Sequence, residues 1–194
     1  MRTGYLTTIL PALALLAGCQ QQQPKAAAEP TVHAIMKDKV DANADALWDL
    51  TNPALNNDAT LNPAKIDDAR WTQMAQRAQA VADAAGELAS LKTLKLVEPG
   101  QKIADQDLVG GDQPDEVQAN LNRNPTDFRQ FAGALQAHMS DIVAGAKAHD
   151  AKKLSPLIDQ LDGVCENCHL EFWYPDQKAY IEKIRKSGGN DPTS

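Results

Sequence analysis

Apolar residues recur at helical spacing over most of this chain, and that period leaves little room for any other regular structure. Residues 62–91 and 124–150 each begin with Asn-Pro, which is typical of a helix N-terminus, and each carries an apolar stripe along one face. Residues 30–50 and 151–174 show the same spacing. No segment alternates apolar and polar residues convincingly, as a half-buried strand does. The sequence therefore predicts an all-α fold.

The remaining segments complete a single-domain prediction. A shorter helix is expected over 176–186, and residues 188–194 are expected to form a disordered tail. Residues 92–123 combine proline, a Gly-Gly pair and many acidic residues without a sustained period, which predicts a long loop. Four long helices in a chain of 194 residues favour one domain over 30–187. We expect an antiparallel four-helix bundle, in which cofactor sites are built from inward-facing side chains.

The N-terminal residues predict export. Residues 1–18 combine Arg2, an apolar stretch and small residues, as a secretory signal peptide does, and the stretch is too short for a membrane-spanning helix. "LAGC", which ends at Cys19, resembles the lipobox of bacterial lipoproteins, in which the cysteine is lipidated; alternatively, Cys19 only borders an ordinary cleavage site. Residues 19–29 read as a flexible polar tether. We expect a lipoprotein anchored to a membrane on the periplasmic side of the cell envelope.

The charge of the chain argues against nucleic-acid binding. Lys and Arg number 19 against 26 Asp and Glu, so the formal net charge is −7. Affinity for a phosphate backbone depends largely on basic side chains that release counterions. No DNA or RNA partner is expected.

The stretch "GVCENCHLEFWYP" holds Cys165, Cys168 and His169 in a Cys-x-x-Cys-His pattern. A disulfide would leave the histidine unexplained, a thioredoxin-like dithiol needs a βαβ setting, and a zinc site needs further ligands at suitable spacing. The remaining interpretation is the attachment of one haem c. In such a site the two thiols form thioether bonds to the haem and the histidine ligates the iron.

Other residues could surround such a cofactor. Three aromatic residues after the motif either contact the haem or pack in the core: Phe172, Trp173 and Tyr174. Three basic residues could pair with the haem propionates, and the sequence does not select among them: Arg70, Arg77 and Lys92.

Four helices, a haem motif within the last of them and a methionine on the first together resemble the cytochrome c′ family, including its low-spin six-coordinate branch. The resemblance covers residues 30–174. It implies that His169 is one axial ligand of the iron and that Met36 is the candidate for the other. The ordinary role of a methionine in a bundle is to fill the core. His33 lies one turn earlier on the same face and could replace Met36 as a ligand.

Two functions follow from this resemblance. The first is an electron carrier without catalytic residues, which passes electrons between redox partner proteins of the cell envelope and whose acidic surface suits a basic partner. The second is a gas-binding cytochrome c′, whose open sixth position takes nitric oxide or carbon monoxide. A peroxidase-like enzyme is less favoured, because no distal acid–base pair is evident. Many members of this family form homodimers, as this chain could.

Overall fold

The computed structural model describes residues 29–104, 106–107 and 112–186. The expected signal peptide, Cys19 and the expected C-terminal tail lie outside the described residues. Over the described ranges the fold is all-α, as predicted, and the only β pairing is one isolated bridge between Leu55 and Leu61. None of the helices described combines the length and the hydrophobicity that crossing a membrane requires.

The first helical run matches the helix predicted over 30–50. Thr31 caps its start, because the side-chain oxygen accepts a hydrogen bond from the backbone N of Ala34 at 3.2 Å. The run then passes without interruption through α1 (Val32–Ile35), a π-helical stretch (Met36–Asp41) and α2 (Ala42–Thr51). Its buried apolar residues are Val32, Ile35, Val40, Ala44 and Leu47, and Thr51 at its end is buried as well.

The other helices are α3 (Asp68–Ser90), α4 (Pro114–Arg123), α5 (Pro125–Lys147), α6 (Ala151–Phe172) and α7 (Lys178–Lys186). Apart from α4, they agree with the apolar periodicity except at their ends. α3 begins later than predicted, because Asp67 rather than Asn62 is its N-cap and accepts a hydrogen bond from the backbone N of Arg70 at 2.8 Å. α6 begins in the same way after Asp150, whose carboxylate accepts from the backbone N of Lys153 at 2.9 Å.

α4 corrects the loop predicted over 92–123, which is wrong in its last third. Pro114 lies in the first turn of this helix, where a missing N–H costs nothing. Glu116 accepts a hydrogen bond from the backbone N of Gln113 at 2.7 Å, as in a capping box. Val117 and Leu121 are fully buried one helical turn apart. The proline, the capping residue and the apolar pair are all visible in the sequence and indicate a helix. The loop was predicted instead because acidic residues and glycines dominate the composition of this segment.

Two long helices form the centre of the fold. α3 and α5 have 23 residues each and share the most extensive helix–helix interface in the described part of the chain. The first helical run packs against α3, and α6 packs against α5. The first helical run and α6 share no extensive interface with each other within the described ranges. A cleft lies between these two helices.

Candidate functional site

The cleft consists of two adjoining cavities. One has a volume of about 290 Å³ and reaches the core, and the other has a volume of about 540 Å³. Both volumes are of the order found for ligand and cofactor sites. Five residues line both cavities and so mark where they meet: Met36, Asp41, His169, Trp173 and Tyr174.

α6 presents the Cys-x-x-Cys-His motif to the cleft. Residues three and four positions apart share one face of a helix, so Cys165, Cys168 and His169 all line the smaller cavity. The two cysteines are free thiols in this structure. The motif residues therefore meet on one wall because of their spacing alone.

The surroundings of both cysteines disfavour the thiolate form. Burial raises the pKa of Cys165 to about 11, and the carboxylates of Asp162 and Asp41 add to this effect. Burial raises the pKa of Cys168 to about 12, with further contributions from Cys165 and Glu171. Both groups are protonated thiols at neutral pH. A redox-active dithiol depends on a depressed thiol pKa, so this environment argues against a thioredoxin-like role.

The first helical run supplies the opposite wall. Met36 is the first residue of the π-helical stretch, a type of local widening that is frequent at functional sites. It is partly buried and lines both cavities, as His169 does. His33 lines only the larger cavity. The structure thus brings Met36 and the whole motif to one cleft, although they are more than a hundred residues apart in the chain.

The three aromatic residues after the motif have different positions. The Phe172 ring is fully buried in the core, where it makes edge-to-face contacts with Phe128 at 5.5 Å and Phe131 at 6.2 Å between ring centroids. Trp173 and Tyr174 instead line the cleft. α6 ends at Phe172, so this residue packs in the core while the next two residues line the cleft.

His169 is held by a side-chain hydrogen bond. The Tyr174 hydroxyl lies 3.0 Å from Nδ1 of the imidazole. The rings of Trp173 and Tyr174 also contact it, with centroid separations of 5.8 and 5.7 Å. The sequence motif indicated the histidine, but not the hydroxyl that bonds to it.

The two cavities differ in charge. Four acidic residues line the smaller one: Asp41, Asp45, Asp162 and Glu166. The larger one shares Asp41 with it, but is also lined by the basic side chains of Lys37 and Lys102 and by His33. Acidic groups of a bound molecule would therefore be more favourably placed in the larger cavity, where lysines can pair with them.

The three basic residues that the sequence suggested as propionate partners line neither cavity. Arg77 donates instead to the side chain of Asn43 at 3.1 Å, and Arg70 donates to the carbonyl of Lys65 at 3.4 Å. Lys92 lines neither cavity. The basic residues that do line the larger cavity are Lys37, directly after Met36, and Lys102, in the loop before α4. The packing of these two segments brings them to the cavity.

The donor set fits a haem c. Cys165 and Cys168 are the two thiols needed for thioether attachment, and His169 and Met36 offer an imidazole and a thioether sulfur within the same cleft. Apolar side chains of α3 and α5, including Leu88, Phe128 and Leu135, line the inner end as a flat apolar group requires.

In the part of the chain that the structure describes, no group of three or more His, Cys, Asp and Glu side chains is arranged to hold a metal ion. Comparisons with protein-family models, with curated proteins and with solved structures find no match to this chain.

Proposed function

We propose that this protein is a c-type cytochrome with one haem, and that it carries electrons in the cell envelope. A single observation carries the proposal. Met36, Cys165, Cys168 and His169, which come from both ends of the folded chain, line one largely apolar cavity. A cofactor bound there would supply a one-electron Fe(III)/Fe(II) couple.

Each of these residues has a separate task. The thiols of Cys165 and Cys168 would hold the porphyrin through its two vinyl groups, each sulfur bonding to one vinyl carbon while its hydrogen goes to the other. His169 on α6 and Met36 on the first helical run would hold the iron. A methionine ligand tends to raise the reduction potential. Lys37 and Lys102 offer positive charge to the propionates in the larger cavity.

The helix packing supports the resemblance to the cytochrome c′ family. The first helical run, α3, α5 and α6 are four long helical segments in which each outer segment packs on one of the two central helices. This arrangement is compatible with a four-helix bundle whose cofactor lies between its first and last helices. We interpret the chain as a member of the low-spin branch, because Met36 reaches the same cleft as His169.

Features of the sequence support the proposed location and partners. The signal peptide and Cys19 support a lipid-anchored protein on the periplasmic side of the envelope, close to membrane redox enzymes. With no substrate to transform, the protein needs no catalytic acid or base. Its net charge of −7 and the four carboxylates beside the smaller cavity favour a partner with a basic docking patch and an association that weakens with salt.

Absorption spectra of three proteins test the proposal. The native chain, Met36→Leu and Met74→Leu would be produced with the haem-attachment machinery and recorded oxidised, reduced and under carbon monoxide. Both substitutions remove a sulfur and keep the side-chain volume, but Met74 is fully buried on α3 and lines neither cavity. We expect native protein and Met74→Leu to be low-spin, with a sulfur-to-iron charge-transfer band, and inert to carbon monoxide.

Met36→Leu should lose that band and bind carbon monoxide at once. If the native protein is already high-spin and binds carbon monoxide, and Met36→Leu does not differ from it, the electron-carrier proposal fails and the gas-binding alternative remains. If Met36→Leu stays low-spin but His33→Ala does not, His33 is the ligand. Protein without covalent haem after acid–acetone extraction would refute both functions.

A further inference from the structure

We propose that Tyr174 is a positioning residue for His169, and that its hydroxyl lowers the reduction potential of the bound iron by accepting a hydrogen bond from the imidazole. The inference rests on the proposed function, since it concerns the same site. It starts from the 3.0 Å separation between the Tyr174 hydroxyl and Nδ1 of His169. This is a normal hydrogen-bond distance.

The end of α6 fixes this geometry through the backbone. The carbonyl oxygen of His169 accepts hydrogen bonds from the backbone N of Trp173 at 2.8 Å and of Tyr174 at 3.0 Å. Pro175 begins a 3₁₀ turn directly afterwards, and the carbonyl of Tyr174 accepts from the backbone N of Gln177 at 3.0 Å. Tyr174 is thus tied to His169 by main chain and side chain together, so its hydroxyl is held in place before any cofactor binds.

The direction of the hydrogen bond follows from metal ligation. A histidine that binds a metal through Nε2 keeps its proton on Nδ1, and a second group normally accepts that proton and fixes the ring. With His169 bound through Nε2, the phenolic oxygen of Tyr174, 3.0 Å from Nδ1, is in place to accept that proton. An acceptor at this position makes the imidazole a stronger electron donor. A stronger donor stabilises ferric more than ferrous iron, which lowers the potential.

Tyr174→Phe removes the hydroxyl and keeps the ring contact with His169. We expect the equilibrium constant for reduction to rise by a few-fold and by at most about tenfold, where tenfold corresponds to about 59 mV for a one-electron couple. The bound is set by the modest net contribution that a neutral hydrogen bond makes. Tyr180→Phe is the matched control, because Tyr180 lines neither cavity and is 45% exposed.

Redox titration of the three holoproteins, followed by absorption, gives the answer. An upward shift in Tyr174→Phe alone, with the spin state unchanged, supports the inference. Equal potentials in Tyr174→Phe and native protein overturn the inference and leave the proposed function intact. A native protein that attaches no haem, or whose haem is not ligated by His169, refutes the proposed function and the inference with it.

A measurement on native protein covers the case in which Tyr174→Phe does not fold. In ¹⁵N-histidine-labelled ferrous protein, with carbon monoxide added if the sixth position is open, the Nδ1 proton of His169 should be visible by NMR and exchange slowly with water. An Nδ1 proton that exchanges as fast as that of an exposed histidine overturns the inference without any substitution.

Discussion

Replacing Asn120 by Ala should destabilise the protein by about 2–3 kcal/mol, although this residue touches neither cavity of the cleft. Asn120 lies on α4 and its amide is buried. The amide nitrogen donates to the carbonyl oxygen of Phe172 at 3.0 Å and to the carboxylate of Asp112 at 3.2 Å. Phe172 is the last residue of α6, and the final carbonyl groups of a helix have no partner inside it. Asn120 therefore caps the helix that carries the Cys-x-x-Cys-His motif.

The magnitude follows from what Ala would leave behind. The carbonyl of Phe172 would lose its buried donor, and an unsatisfied buried polar group costs about 1–3 kcal/mol. The loss of the Asp112 hydrogen bond adds to this, since a hydrogen bond to a charged group contributes about 1.5–3 kcal/mol when it is buried and less near the surface. Some relaxation and access of water reduce the total, which gives about 2–3 kcal/mol.

Asn120→Asp keeps the shape of the side chain but replaces the amide donor by a negatively charged acceptor. The new carboxylate would face both the Phe172 carbonyl and Asp112, whose pKa is already raised by burial and by repulsion from Glu116. Arg123, which donates to the Asn120 side-chain oxygen at 3.2 Å, would offset only part of this repulsion. A carboxyl with a raised folded pKa binds its proton more tightly when folded, so its protonation adds stability. The destabilisation should therefore be largest at neutral pH and decrease as the pH falls through the raised folded pKa towards the ordinary value near 3.8.

Urea denaturation followed by far-UV circular dichroism, at neutral pH and at about pH 5, measures these differences. Asn122→Ala is the control, because Asn122 is an exposed amide of the same helix that accepts only a side-chain hydrogen bond from Gln118. We expect it to change the free energy of unfolding by less than about 0.5 kcal/mol. If Asn120→Ala is no more destabilising than this control, the capping role of Asn120 is refuted.

Three further predictions concern the core, the helix glycines and the cleft. Phe172→Ala should cost about 3–5 kcal/mol in urea denaturation, because a fully buried ring leaves a cavity; a loss below about 1 kcal/mol would contradict its place in the core. Gly133→Ala should raise the free energy of unfolding by about 0.5–1 kcal/mol, since nothing lies within 4 Å of the new Cβ. Gly145→Ala should raise it less, or lower it, because the new Cβ would lie 3.2 Å from the Leu154 side chain. Equal effects of the two substitutions would contradict close packing at Gly145. Lys37→Glu should lower the reduction potential of the holoprotein at low salt and less so at high salt, and an unchanged potential at low salt would exclude Lys37 from the propionate region.

Most of the fold could be predicted from local patterns. The helical period of apolar residues identified the first helical run, α3, α5 and α6, because burial of one face of a helix repeats every three to four residues. The ends were less predictable. Asp67 caps α3 although the Asn-Pro pair at Asn62 and Pro63 is the stronger signal, and that pair forms only a short 3₁₀ turn. α4 was missed because its short apolar pair carries little weight among acidic residues.

What the sequence alone determined is local. On a helix, the spacing of Cys165, Cys168 and His169 places them on one face wherever that helix lies. Only the tertiary structure decided what faces them, because contacts between distant segments depend on packing. Packing brings Met36 to the same cleft, lines the larger cavity with Lys37 and Lys102, and places the Phe172 ring against Phe128 in the core. Sequence spacing carries no information about such contacts.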